Sequence, residues 1–371
     1  MPDRFLTLLA RSLPATVPFV GPEAQERARG SAFTARLGAN ESGFGPPAAA
    51  IAAMEQAASE VWMYGDPEAH ELRQAIARHH GVAPDAVMIG EGIDGLLGTL
   101  VRLTVAAGDP VVTSDGAYPT FAFHVTGHGG RLHKVPYRDG AEDPEALAEA
   151  ARAAHAKLVY FANPDNPMGS WHGADRVSAL IDALPRDSLL VLDEAYVDFA
   201  PEGTAPPFDT DRANVIRFRT FSKAWGMAGA RVGYAIGHPG LIAAFDRVRN
   251  HFGMGRVVQA GALAALSDQA HLARVRGLVA AARERIGQIG RGHGLTPLPS
   301  ATNFVALDTG RDGAFARALV AALGRRGVFV RMPGVAPLDR SIRVSCGPDA
   351  ALHRFAAALP DALAEAMASQ R

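Results

Sequence analysis

A chain of 371 residues that is 48% hydrophobic and 20% charged carries enough apolar material for a large core and too much for a disordered chain. Its formal net charge of -1 offers no basic field to nucleic acid or to an anionic membrane. One cysteine, Cys346, leaves no intramolecular disulfide to form, which makes the cytoplasm the expected compartment.

In chain order, Phe5 to Ala10 is apolar but short and is broken by Arg11. It reads as a small amphipathic helix ended near Pro14, too brief for a signal peptide or a membrane span. His79 and His80 close a helix before Gly81, a place where positive charge is favoured. A glycine-rich turn, Gly90-Glu91-Gly92-Ile93-Asp94-Gly95, precedes an apolar helix expected from Leu96. Strand-like runs then recur at Val111–Thr113, Leu158–Phe161, Leu189–Leu192, Val215–Phe218 and Val232–Ala235, with helical stretches such as Pro144–Ala154 and Ala174–Leu184 between several of them. That rhythm predicts α/β architecture: a mostly parallel sheet flanked by helices. From Ala260 to Ile289 the pattern is one or two long helices. Strands follow at Asn303–Leu307, Val328–Arg331 and Ser341–Ser345, and an Ala-rich helix runs from Asp349. The expected division is an N-terminal segment, 1–35, packing on a small domain; a large cofactor-binding domain, 36–260; and the small α+β domain, 261–371.

Three of the strand ends carry chemistry, and in a parallel sheet ligands bind beyond the carboxyl ends of the strands. The runs there are Asn163-Pro164-Asp165-Asn166-Pro167-Met168-Gly169, Asp193-Glu194-Ala195-Tyr196 and Arg219-Thr220-Phe221-Ser222-Lys223. A lysine amine condenses with an aldehyde to a Schiff base, and pyridoxal phosphate brings an aldehyde, an electron-sink ring and a phosphate. Lys223 is the expected attachment point. Asp193 suits the ring nitrogen, whose protonated form a carboxylate stabilises. Tyr196 and Asn166 suit the ring's phenolate oxygen. Ser222, Arg231 and the amides at Gly92, Ile93 and Asp94 suit the phosphate. Each piece has an ordinary reading: a solvated lysine, an aspartate at a helix N-cap, a plain turn at Asn163-Pro164. Their joint occurrence argues for the cofactor site. His124 and His128 have i, i+4 spacing without an acidic or cysteine partner nearby, so no metal site is read there.

With these motifs in view, the chain resembles the fold-type-I pyridoxal-phosphate aminotransferases of classes I and II, over about residue 36 to Gly347. Gly38-Ala39-Asn40-Glu41-Ser42-Gly43-Phe44-Gly45-Pro46 and Tyr64-Gly65-Asp66-Pro67 make it most similar to the histidinol-phosphate aminotransferase branch. The resemblance implies a large domain with a seven-stranded type of sheet plus a smaller α+β domain. It implies further that Tyr118 stacks on the pyridine ring, that Arg343 grips the substrate anion with Arg331 in the same pocket, and that Asn40 belongs to the substrate site. Tyr64 corresponds to a residue that reaches the cofactor phosphate of a neighbouring subunit, which implies a homodimer. The implied reaction moves an amino group from histidinol phosphate or an α-amino acid to a 2-oxo acid.

Two departures bear on the substrate. Glu91 stands at the variable place of the phosphate turn, where it would repel a substrate phosphate if it faced inward. Arg256, in Phe252-Gly253-Met254-Gly255-Arg256, is either an extra anion contact or solvated. A decarboxylase of a phosphorylated amino acid, similar to threonine-phosphate decarboxylase, would use the same cofactor residues. A non-catalytic cofactor-binding regulator needs a DNA-binding domain that the roughly 35 residues before the first motif are too few to form, by ordinary domain sizes. A nicotinamide dehydrogenase lacks its Gly-x-Gly-x-x-Gly opening.

Overall fold

A computed structural model describes residues 2–15 and 19–370. Strand β1 (Ala35–Arg36) comes first. Seven strands then build the main sheet: β2 (Val87–Gly90), β3 (Pro110–Ser114), β4 (Arg131–Val135), β5 (Leu158–Ala162), β6 (Leu189–Asp193), β7 (Val215–Thr220) and β8 (Gly233–Gly237). Their spatial order is β2-β8-β7-β6-β5-β3-β4. All run parallel except β8, which is antiparallel to both β2 and β7. The run at 232–235 is therefore a return strand rather than the end of a βα unit.

The central strands are continuous apolar runs because helices cover both faces of the sheet. Every residue of β5 is buried. On one face Leu96, Leu97, Leu100 and Phe121 pack on Tyr160 and Phe218. On the other, Leu147, Ala151, Leu180 and Ile181 pack on Val159, Phe161 and Leu192. The helix Pro144–Ala154 begins where expected for a local reason: Asp143 caps the amide of Ala146, Pro144 occupies the first turn, and His155 in the left-handed region ends it. The apolar helix before β3 begins at Gly92, four residues earlier than its hydrophobic run, so the glycine-rich turn forms the first helical turn itself.

The remaining strands are β9 (Thr296–Pro297), β10 (Phe304–Asp308), β11 (Val328–Phe329) and β12 (Ser341–Ser345). β10 lies between β9 and β12 in an antiparallel sheet, and β11 pairs in parallel with β1. β11 stops at Phe329, where four strand residues were expected; Arg331 then makes an isolated bridge to Arg343. The long helical stretch is two helices, Arg256–Ser267 and Gln269–Gly292, divided at Asp268, whose side chain caps the amide of His271. Near the N-terminus the helix is Leu8–Ser12, and it buries none of its residues. The segment after it reaches the C-terminal region: Arg331 donates to the Val20 carbonyl, and its guanidinium lies 3.7 Å from the Phe19 ring. No helix among the described residues is long and apolar enough to cross a membrane.

His80 departs from its expected role at a helix end. Burial first, and then Arg219, push its pKa down to about 2, so it is neutral and shares a 2.8 Å hydrogen bond with the Tyr234 hydroxyl. The helix end instead closes with Gly81 in the left-handed region.

Candidate active site

The carboxyl ends of β5, β6 and β7 deliver the three predicted motifs to one cavity of about 580 Å³. Its walls include Asn40, Ile93, Asp94, Tyr118, Asn166, Asp193, Tyr196, Ser222, Lys223, Arg231 and Arg343. Most of the predicted constellation is thus assembled by the chain itself.

Asp193, the last residue of β6, is 5% exposed. It accepts hydrogen bonds from the Tyr160 hydroxyl at 2.7 Å and the Ala195 amide at 2.9 Å. Burial raises its pKa to about 6 against the lowering effect of those bonds and of Lys223. A carboxylate in such a place is poised to meet a buried cation. Lys223 donates to the carbonyl of Asn40 at 3.2 Å, and its Nζ stands 5.4 Å from the Tyr196 ring. The Tyr196 hydroxyl accepts from Asn40 Nδ2 at 3.0 Å and Asn166 Nδ2 at 3.4 Å.

Asn40 is the node that joins these parts. Its backbone sits at φ 55°, a left-handed conformation that asparagine tolerates better than most residues. Its side-chain oxygen accepts from Ser345, and its carbonyl also accepts from Asn303. It therefore ties Lys223 and Tyr196 to β12 and to the start of β10.

An anion cradle lies at one end of the cavity. Thr220 Oγ1 accepts from the Ser222 amide at 3.0 Å, and Arg231 donates to Ser222 Oγ at 3.5 Å. Arg231 Nη2 is 3.6 Å from Asp94. Gly92, at φ 75°, lets the guanidinium approach the helix start: a Cβ there would stand 2.5 Å from Arg231 Nη2. Two hydroxyls, a guanidinium and the first amides of a thirteen-residue helix form a donor set suited to a phosphate. Tyr118 donates to Asp94 at 3.3 Å, and burial followed by the Asp94 charge pushes its phenol well up, so it stays neutral.

Arg343, on β12, donates to Asn166 Oδ1 and stacks 5.1 Å from the Phe304 ring, while its Nε has no partner. Burial lowers its pKa. A half-buried guanidinium with an unpaired Nε at a cavity wall is a seat for an anion.

Four residues lie elsewhere. Arg331 is absent from the cavity wall; its guanidinium is engaged by Val20 and Phe19, and burial followed by Arg343 pushes its pKa down to about 10. Tyr64 is 76% exposed and stacks on Phe252 at 4.5 Å, outside this chain's cavity. Glu91 turns away from the cavity and lies against Gly253, where an added Cβ would fall 1.4 Å from its Oε1. Arg256 likewise faces away, donating to the Tyr64 carbonyl at 3.2 Å and pairing with Glu60 at 3.5 Å.

Sequence reasoning passed over Thr220, Tyr160, Phe19, Arg36 and Phe123, all on the cavity wall. For Tyr160 the signal was available: a hydroxyl in an otherwise apolar buried strand needs a partner. Thr220 ends the same strand that delivers Ser222 and Lys223 and could have been read with them; Phe19, Arg36 and Phe123 lie in segments whose approach to the cavity is set by tertiary packing.

A cavity that joins a lysine, a buried carboxylate and a phosphate cradle beyond parallel strands defines a pyridoxal-phosphate enzyme of the aminotransferase fold. Residues 35–359 match the model of the aminotransferase class I and II family, and the chain belongs to that family. It is similar to the histidinol-phosphate aminotransferase of Sinorhizobium meliloti, whose crystal structure is a complex with pyridoxal 5'-phosphate: 56% identity, TM-score 0.94, covering 97% of this chain and 98% of that one. It is 38% identical to the histidinol-phosphate aminotransferase of Anaeromyxobacter sp. over 344 residues, 91% of this chain and 93% of the relative. It is 35% identical to an aromatic amino acid aminotransferase of Mycolicibacterium paratuberculosis over 323 residues, 84% of this chain and 91% of the relative.

Proposed function

We propose that the chain is a pyridoxal-phosphate-dependent aminotransferase that takes an anionic amino donor, histidinol phosphate foremost, and a 2-oxo acid acceptor. The observation that carries this reading is the pairing of Lys223 and buried Asp193 across one cavity that also holds the Ser222–Arg231 cradle and Arg343. The residues fit the cofactor: the cradle for its phosphate, Tyr118 for its ring face, Asp193 for its ring nitrogen, and Tyr196 with Asn166 for its phenolate oxygen. When bound, it supplies an aldehyde for the Lys223 amine and a ring that withdraws electrons from the donor's α-carbon.

Lys223 Nζ is the base that takes the donor's α-proton and, in the second half of the reaction, gives a proton to the α-carbon of the acceptor. Asp193 keeps a compensating negative charge in a buried place, which stabilises positive charge opposite it without reorganisation. Arg343 binds the anionic end of the donor and fixes the orientation of the bond to be broken. The chain divides for this work into a large cofactor-binding unit, 36–260, a smaller unit, 261–371, and an N-terminal segment, 1–35, that packs on the latter. The exposed run Val61, Trp62 and Tyr64 supports a homodimer in which Tyr64 serves the partner's cradle.

An aromatic α-amino acid is the second donor to consider, since relatives 35% identical carry that activity in their names and Phe19 and Phe123 line the cavity. The test adds each donor alone to the cofactor-loaded protein and follows the cofactor's visible absorbance. Conversion by histidinol phosphate with little response to aromatic amino acids supports the first donor; the reverse supports the second. A spectrum unchanged by any amino donor overturns the aminotransferase reading.

A further inference from the structure

Beneath the turn that carries Asn166 lie two carboxyl groups with no part in the chemistry above. Glu142 and Asp165 are 2% and 1% exposed. Glu142 accepts from the Ser114 hydroxyl at 2.6 Å and from the Ala162 amide at 3.0 Å. Asp165 accepts from the Tyr137 hydroxyl at 2.8 Å and from the Met168 amide at 2.9 Å. The two carboxyls are also within hydrogen-bond reach of each other. The ion pairs among the described residues include neither. Two touching carboxylates, out of water and in no ion pair, cannot both stay ionised.

The surrounding groups leave that conclusion standing. Tyr137 and Tyr160 face the pair as neutral phenols, raised by burial. His172 meets the Glu142 carbonyl at 2.9 Å, and burial lowers its pKa. The adjacent Asp143 is paired with Arg138 at 2.6 Å. The cation acting on Asp165 is Arg343, whose guanidinium donates to Asn166.

We propose that Glu142 and Asp165 share one proton, carried on Glu142 and donated to Asp165, and that this pair is a positioning element holding Asn166 and, through it, Arg343. Burial and the Asp165 charge drive Glu142 well above the usual carboxyl range, while Asp165 sits at about 6. The pair pins the turn from Asn163 to Ser170: Asp165 binds the Met168 amide through its side chain and the Gly169 amide through its carbonyl. Met168 packs against Ala306 and Leu338, so the same turn joins the main sheet to the C-terminal unit. Removal of the shared proton places a second charge beneath the turn, repels Asp165 and loosens the seat of Arg343. The positioning half of this proposal rests on the reading of Arg343 as the donor's anion site; the shared proton does not.

The test compares the holoenzyme with Glu142→Gln, which keeps a donor toward Asp165 and cannot ionise. Infrared spectra at neutral pH are expected to show the carbonyl stretch of a protonated carboxylic acid in wild type that E142Q removes. The KM for the amino donor is expected to rise on the alkaline side about tenfold more in wild type than in E142Q, with kcat changing far less, one tenfold step being the loss of about 1.4 kcal/mol of positioning. A difference spectrum without that band overturns the shared proton. Identical KM profiles overturn the positioning role. A protein that turns over no amino donor overturns the functional reading instead, and the infrared result still decides the proton.

Discussion

In the cofactor-free protein the Asp193 carboxyl is buried and faces a cavity. Holding its pKa at about 6 rather than 3.8 costs the folded state about 3 kcal/mol at neutral pH. Asp193→Asn removes that cost. It also converts one oxygen to an amide NH2, so either the Tyr160 hydroxyl or the Ala195 amide loses its acceptor, about 1 kcal/mol. The net expectation is that D193N without cofactor is more stable than wild type by about 2 kcal/mol. The sign follows from linkage: a carboxyl whose folded pKa is raised is unfavourable above that pKa and neutral in its effect below the unfolded one. The advantage of D193N therefore shrinks as pH falls from about 6 toward 3.8. Urea unfolding of both cofactor-free proteins across that window measures it. Catalysis moves the other way, since loss of one preorganised electrostatic partner costs about 10²-fold or more in turnover. A D193N protein less stable than wild type at neutral pH, or an advantage that does not decline with acid, refutes the reasoning.

Lys223→Ala should lower turnover by at least about 10³-fold, as loss of a general base that is also the attachment point requires; borohydride reduction should fix the cofactor's mass on wild type and not on the variant. Arg343→Ala should reduce kcat/KM for the anionic donor by about 10²-fold, or about 3 kcal/mol, chiefly through KM, and steady-state kinetics will show whether the loss falls there. Gly92→Ala should destabilise the fold by roughly 1–2 kcal/mol, because alanine at φ 75° is strained and its Cβ meets Arg231. It should also raise the cofactor's dissociation constant, measured by equilibrium dialysis.

Strand ends were the legible part of this chain. Asn166, Asp193, Ser222 and Lys223 follow buried apolar runs directly, so their convergence on one cavity could be anticipated from the parallel sheet alone. The two overlooked strands of the main sheet have opposite causes. β4, Arg-Leu-His-Lys-Val, is an edge strand, and the charges that protect an edge also erase its apolar signal. β2 is only four residues long and runs straight into the glycine turn. Glu91 and Arg256 could not be aimed from sequence, because their direction depends on Gly253 and on the Tyr64 segment meeting them from elsewhere in the chain. The resemblance implied a place for Arg331 in the pocket with Arg343, but Phe19 and Val20 engage its guanidinium. The neutral state of His80 is a tertiary effect, made by burial and the charge of Arg219.

The pairing of β1 with β11 has a consequence for how the protein is made. Ala35 lies beside Val328, and the Leu37 amide donates to the Phe329 carbonyl at 2.8 Å, so two stretches near opposite ends of the chain must meet. During synthesis the main sheet can assemble once β8 has left the ribosome, but the first strand then waits through some ninety residues of translation for its partner, roughly five to twenty seconds at ordinary elongation rates. Throughout that interval Leu37, which ends up wholly buried, stays uncovered. The nascent chain is thus most open to chaperones and proteases late in its synthesis, and substitutions in β1 should reduce yield in cells more than they alter the finished enzyme.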